Sequence, residues 1–230
     1  MSKYIVSSSP HISSKSTTQK LMLDVIIALV PTVIASVVLY GFYPLFLLIL
    51  SVGTAFFCEW AFNTIAKRPN STRDLSAIVT GMIFALCLPP VVPFYVAIVG
   101  AAFAIIIVKM LFGGIGRNFA NPAVTARIFV MLCWAGVMTK FVAPIDLSDG
   151  ANLFSYFTHA VNINLPDAIT TATPLAVIKG ATGNPVEGLS ALDMFLGRIG
   201  GSAGEVSTLA VLIGGLYLTI RRVIDVRIPL

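Results

Sequence analysis

The residues best suited to chemistry lie in two irregular stretches and at a few isolated carboxylates. The first stretch is Gly113-Gly114-Ile115-Gly116-Arg117-Asn118-Phe119-Ala120-Asn121-Pro122-Ala123. Glycines admit a close backbone approach, a helix N-terminus offers free N–H groups, and an arginine with two amides can grip a polar or anionic cofactor. The same letters also make a plain tight turn, with Asn121 as a favourable N-cap and Pro122 as a favourable first helical residue. The stretch is not a dinucleotide fingerprint, because no strand precedes it and the third glycine is missing. The second stretch is Asp167-Ala168-Ile169-Thr170-Thr171-Ala172-Thr173-Pro174-Leu175. It has no nearby His and no Lys before Lys179, so nothing in its spacing makes a nucleophile. Covalent chemistry at a threonine here needs an external enzyme.

The carboxylates are Asp24, Glu59 and Glu205, each beside or inside an apolar run. A carboxylate within a bilayer is costly and often marks an ion path, which nominates Glu59 and Glu205 for such a route. Asp24 and Glu205 also suit the favoured N-terminal ends of helices, and Glu59 lies within two turns of Lys67 as a partner near the surface. Cys58, Cys87 and Cys133 are widely separated with no C-x-x-C, and His11 and His159 have no metal-ligand spacing. The chain therefore offers no metal site and no catalytic set of its own. Trp60 and Trp134 read as lipid-facing or packing residues.

These groups must be positioned by membrane helices. Of 230 residues, 57% are hydrophobic and only 11% charged, with mean hydropathy +0.93. An average soluble domain has roughly 45–50% apolar and 25% charged residues. A soluble enzyme of this length could not hide so much apolar surface, so a bilayer must be its solvent. The first twenty residues are a polar tail without the apolar core of a signal peptide. Val25 to Cys58 is a run of 34 uncharged residues, about 50 Å as one helix against a hydrocarbon core of about 30 Å. Gly41-Phe42-Tyr43-Pro44 breaks it into spans near 22–40 and 44–66. Leu75 to Val108 is a second run of 34, which Pro89-Pro90 and Pro93 divide into spans near 75–91 and 93–112. Ser71, with Asp74 three residues later, suits the start of the third span.

A fifth span is expected from Pro122 to Val142, with Arg127 and Lys140 near its ends reaching for the interface. A polar segment of about 60 residues, 143–203, separates it from a sixth span near 204–220 that ends at Arg221-Arg222. The expected organisation is a tail over 1–20, a five-helix bundle over 21–142, the 143–203 loop, and a sixth helix over 204–230. With a cytoplasmic N-terminus, twelve of the fifteen basic residues fall inside, and only Lys140, Lys179 and Arg198 outside. The positive-inside rule thus sends the 143–203 loop outwards. No nucleic-acid partner is called for, because the positive charge is distributed by topology.

At the two irregular stretches the chain resembles a family of membrane subunits. It comprises the D subunit of the Rnf complex, an ion-translocating ferredoxin:NAD oxidoreductase, and the B subunit of the sodium-translocating NADH:quinone reductase. Ser9-Pro10-His11, Met22-Leu23-Asp24-Val25, the GGIGRNFANPA turn, the Thr loop and Gly200-Gly201-Ser202-Ala203-Gly204-Glu205 carry the resemblance. It implies that a flavin transferase moves FMN from FAD onto a threonine of an Asp-x-x-[Ser/Thr]-Gly-Ala-Thr motif, making a phosphoester. Asp167, Thr170, Ala172 and Thr173 match, which nominates Thr173, while Thr171 stands where the motif prefers glycine. Gly180-Ala181-Thr182 is a decoy, with Ala176 and Lys179 at the Asp and Ser/Thr positions.

The resemblance also implies a second, noncovalent flavin, riboflavin, which the turn would line through Gly113, Gly114, Arg117, Asn118 and Asn121. It implies partner subunits bearing NAD, flavin and iron–sulfur sites, and no complete catalytic cycle in this chain alone. The implied fold is an all-α polytopic membrane protein of ten helices in two repeats of five, similar to urea transporters. Six spans are seen here, and Arg221–Leu230 reads as a linker entering another span, so a chain about half as long again is expected. The quinone-reductase B subunit and a solute channel or transporter remain as alternatives. The former usually carries a longer N-terminal extension.

Overall fold

The computed structural model describes residues 17–68, 71–142, 144, 191–205 and 207–224. Its regular elements are all helical. They are α1 (Thr18–Tyr40), α2 (Tyr43–Ile65), a 3₁₀ turn (Thr72–Asp74), α3 (Ser76–Leu86), and α4 (Phe94–Phe103), which continues as a π-helix (Ala104–Met110). Then come α5 (Pro122–Cys133), α6 (Ala135–Met138), α7 (Ala191–Leu196) and α8 (Thr208–Ile220).

The two long helices are built inside out. In α1 the buried residues are Asp24, Ala28, Thr32 and Ser36, a small and polar stripe at every fourth position. In α2 they are Pro44, Leu47, Ser51, Ala55, Glu59 and Asn63. The large apolar side chains face outwards: Ile27, Val30, Ile34 and Val38 on α1, and Phe46, Ile49, Phe56, Phe57 and Trp60 on α2. Water would penalise that arrangement, whereas lipid removes the penalty and rewards small residues at helix contacts. Each helix has 23 residues, about 34 Å, and is long and apolar enough to cross a bilayer. The chain is a membrane protein.

The expected hairpin between α1 and α2 is present. Gly41 takes φ 79°, a left-handed conformation that favours glycine, and its N–H donates to Val37 O at 2.9 Å. Pro44 then sits in the first turn of α2. Helix α3 packs chiefly on α2, where Ser51 Oγ donates to Gly81 O at 3.0 Å. Phe84, Leu88, Val92, Val96, Ala101, Ala126 and Val130 form the main apolar core among α3, α4 and α5. Phe103 and Phe129 stack across α4 and α5, with ring centroids 4.0 Å apart.

The other expected spans are shorter than the sequence suggested. The third was expected over 75–91, but α3 has 11 residues and ends at Leu86. Leu88-Pro89-Pro90 stops it, since proline has no N–H and disfavours helix at the residue before it. The exposed carbonyls are taken by backbone from a distant segment: Gly204 N–H donates to Leu86 O at 2.8 Å and Ala203 N–H to Leu88 O at 3.0 Å. The fifth span, expected to be continuous from Pro122 to Val142, breaks at Trp134 (φ −129°, ψ 49°). The Trp134 ring meets Tyr95 edge-on there, with centroids 6.2 Å apart. The sixth begins at Thr208 rather than 204. The apolar helices α3, α4 with its π extension, α5 and α8 each run 10–17 residues.

Helix α8 returns along α1. Asp24 was expected to open the first span, yet α1 starts at Thr18 and Asp24 is its seventh residue. It accepts from Arg221 Nη2 at 3.1 Å, Arg221 Nε at 3.3 Å and Tyr217 Oη at 3.2 Å, which ties the N-terminal part of α1 to the C-terminal end of α8. The hydrogen bond to Asp24, and then its charge, hold the Arg221 guanidinium above its ordinary pKa. At the opposite end, Tyr40 Oη donates to Ile199 O at 3.3 Å.

Candidate functional site

The densest buried polar cluster forms where α2, the 71–76 link and the π-helix meet. Glu59 and Lys109 are 0% and 2% exposed, and Lys109 Nζ lies 2.7 Å from Glu59 Oε2. Lys109 also donates to Ser76 Oγ at 2.6 Å. Ser71 Oγ donates to Glu59 Oε1 at 2.5 Å and accepts from Asn63 Nδ2 at 3.1 Å. Both carboxylate oxygens therefore have a donor. Such saturation is required, because a buried charge lacking partners costs several kcal/mol.

Several expectations change here. Glu59 pairs with Lys109, fifty residues away, and not with Lys67, which has positive φ at the exposed end of α2. Lys109, counted from the sequence among the basic residues of the cytoplasmic side, is buried. Ser71 does not cap α3 with its side chain. Its hydroxyl serves Glu59, and α3 starts five residues later at Ser76. Sequence reasoning missed Lys109, Ser71, Ser76 and Asn63. The available signal was that the two uncharged runs end on opposite charges, Glu59 after the first and Lys109 after the second, and an acid within a span needs a base.

The carbonyl of Lys109 links this cluster to the glycine turn. It accepts from Gly114 N–H at 3.0 Å and from the Asn118 amide at 3.2 Å, and Asn118 also donates to Gly114 O at 2.9 Å. Gly113, Gly114 and Gly116 have φ of 109°, 92° and 80°, so the reversal requires glycine-like backbone. Asn121 Oδ1 accepts from Ala123 N–H at 3.0 Å and caps α5, with Pro122 following it. Replacing Asn121 with alanine is expected to cost about 0.5–2 kcal/mol, read as an earlier thermal transition, because one orphan N–H of α5 loses its acceptor. As donors for a flavin ring, the two amides differ. The nitrogen of Asn118 already holds the turn, whereas Asn121 and Arg117 are exposed.

Glu205 stands apart, at the far end of α3, where it accepts from Ser202 Oγ at 2.5 Å and lies near Cys87. The structure thus does not bring the two acids of the expected ion route together. Asp167, Thr170, Ala172 and Thr173 lie outside the described residues, as do His11 and His159.

The sequence profile of the NQR2, RnfD, RnfE family matches residues 5–230. The chain belongs to this family. Among its members it is similar to the D subunit of the Na⁺-translocating ferredoxin:NAD⁺ oxidoreductase complex of Acetobacterium woodii, 41% identical over 97% of this chain and 64% of the relative. It is also similar to the D subunit of the proton-translocating ferredoxin:NAD⁺ oxidoreductase complex of Clostridium ljungdahlii, 32% identical over 98% of this chain and 65% of the relative. The D subunit of the ion-translocating oxidoreductase complex of Rhodobacter capsulatus is 36% identical over 96% of this chain and 64% of the relative. This NQR2, RnfD, RnfE family chain thus spans a little under two thirds of the length of these curated relatives.

Proposed function

We propose that this chain serves as the D-type membrane subunit of an Rnf complex, in which electron flow from reduced ferredoxin to NAD⁺ is coupled to Na⁺ or H⁺ movement. The observation that carries this reading is 41% identity over 97% of the chain to a relative of that name and role. The proposed layout has six helical spans within a ten-helix, two-repeat fold in a bacterial cytoplasmic membrane, with the N-terminus inside and the 143–203 loop outside. The short helices α3, α5 and α8 support it. Broken or half-length helices are tolerated at membrane depth where other backbone satisfies their ends, as 203–204 does for α3.

In this reading a flavin transferase attaches FMN to Thr173 through a phosphoester. The flavin supplies one-electron chemistry, and the protein supplies position and electrostatics. A noncovalent riboflavin belongs at the 113–123 turn, met by Arg117 and the amide nitrogen of Asn121. The remaining Rnf subunits supply the iron–sulfur and NAD sites. Glu59 and Glu205 lie on or beside the ion route in this scheme.

The test is in-gel flavin fluorescence of the chain co-expressed with the transferase. A fluorescent band is expected in the natural chain and in Thr182→Val, and none in Thr173→Val. A well-expressed but dark natural chain would refute the assignment. Ferredoxin-dependent NAD⁺ reduction by the assembled complex, without NADH-dependent quinone reduction, separates the Rnf reading from its quinone-reductase counterpart.

A further inference from the structure

Helix α2 reverses at its C-terminal end through Lys67 (φ 52°), a left-handed position at which glycine is the usual residue. Lys67 N–H donates to Thr64 O at 3.3 Å and Arg68 N–H to Asn63 O at 2.9 Å, which closes the helix end. The reversal carries the Arg68 side chain across to the end of the π-helix. There Nη1 donates to Met110 O at 3.4 Å, and the guanidinium lies 5.9 Å from the Phe62 ring centroid. Among the described residues no carboxylate lies within ion-pair distance of Lys67 or Arg68. Arg117, laid along Gly113 of the adjoining turn, adds to the positive field. From 59 to 117 the chain carries five bases against two acids, and one of those acids, Glu59, is already taken by Lys109. Apolar side chains border the cations: Ile65 and Leu111 are 83% and 57% exposed, and Trp60 is half-exposed. The 23 residues of α2 only just exceed a hydrocarbon core of about 30 Å, so Ile65 meets its boundary with Lys67 and Arg68 at headgroup depth.

We propose that the joined ends of α2 and the π-helix bind one anionic phospholipid, its phosphate on Arg68 and Lys67 and its acyl chains on Ile65 and Leu111. Three features select this occupant. Arg68 is held in place by Met110 and Phe62 with most of its five N–H donors free, so a phosphate meets a pre-organised fork. Lys67 places a second charge beside it, at a backbone position where glycine would be less strained. Free phosphate or an acidic protein segment would answer the charges and leave the apolar border uncovered. A phospholipid answers both, and basic pockets between helix ends are where anionic headgroups bind.

The experiment uses the full chain in phosphatidylcholine vesicles containing brominated phosphatidylglycerol or, at equal mole fraction, brominated phosphatidylcholine. The chain has two tryptophans, and in a Trp134→Phe background Trp60 is the reporter. It lies less than two turns before the end of α2, level with bromines carried at mid-chain. Phosphatidylglycerol is expected to quench Trp60 with an affinity at least about fivefold above that of phosphatidylcholine, the worth of one basic side chain at an anionic surface. Arg68→Gln is expected to abolish that preference. Arg198→Gln, near the Tyr40 end of the bundle, leaves it intact. Lys67→Gly is expected to weaken the preference while raising the thermal transition in zwitterionic micelles, so that lost binding is distinguished from lost folding. Glycerol phosphate at millimolar concentration leaves the quenching unchanged. Equal quenching by the two lipids in the natural chain, or a preference that survives Arg68→Gln, would overturn the site. Competition by glycerol phosphate would assign the cations to a soluble anion instead. Equal quenching together with loss of partner subunits from an Arg68→Gln complex would assign them to an acidic protein surface, and either result overturns the lipid.

Discussion

Lys109→Met is expected to destabilise the folded chain by about 3–5 kcal/mol, the cost of leaving a buried carboxylate without its counter-ion. Glu59 is fully buried, so water cannot replace the lost ammonium, and Ser71 supplies only one of the donors its charge needs. The double variant Glu59→Leu/Lys109→Met removes both charges and should recover most of that loss. Replacing a buried pair with apolar groups of similar size is often neutral or better. The measurement is unfolding of the purified chain in mixed micelles, with the two single variants and the double variant forming a cycle. An additive cycle would contradict the pairing. If ion movement depends on the pair, the stable double variant will assemble normally yet fail to transport, which separates function from folding.

The second large effect concerns Gly214. A Cβ there would lie 2.2 Å from the carbonyl oxygen of Ala28, a backbone atom that cannot rotate away. Alanine gains up to about 1 kcal/mol over glycine in helix propensity. Overpacking typically costs about 1–3 kcal/mol and sometimes more. At this contact the clash wins, and Gly214→Ala is expected to lower the thermal transition and loosen α8 from α1. The neighbouring Gly215→Ala enters open space, so there the propensity gain stands alone and stability should rise. Opposite signs at adjacent residues test the α1–α8 contact without invoking any ligand.

How much of this was legible in the sequence depended on whether the signal was local. The hairpin at Gly41–Pro44 and the cap at Asn121-Pro122 rest on intrinsic backbone preferences, and both are present as read. The interruption of α3 was only half legible. Pro89-Pro90 marks a stop, but the helix could end as early as Leu86 only because 203–204, more than a hundred residues later, caps it. The Glu59–Lys109 pair was illegible for the same reason. Each residue alone resembles an interfacial charge, and only the packing of the π-helix on α2 brings them together. The inside-out stripes of α1 and α2 were legible in principle as small and polar residues at every fourth position. Within continuously apolar runs they make little contrast in hydropathy. The Thr173 motif was recognisable by resemblance alone, since no local chemistry in that loop makes a threonine reactive.

The proposal that Thr173 carries a flavin by a phosphoester is tested most directly by mass spectrometry of the chain co-expressed with the transferase. Trypsin cleaves after Lys140, Lys179 and Arg198, so the candidate Thr173 and the decoy Thr182 fall on different peptides, 141–179 and 180–198. The expected result is a 141–179 peptide heavier by FMN less one water, with fragmentation placing the addition on Thr173. An unmodified 141–179 peptide, or an addition on Thr182, would contradict the account.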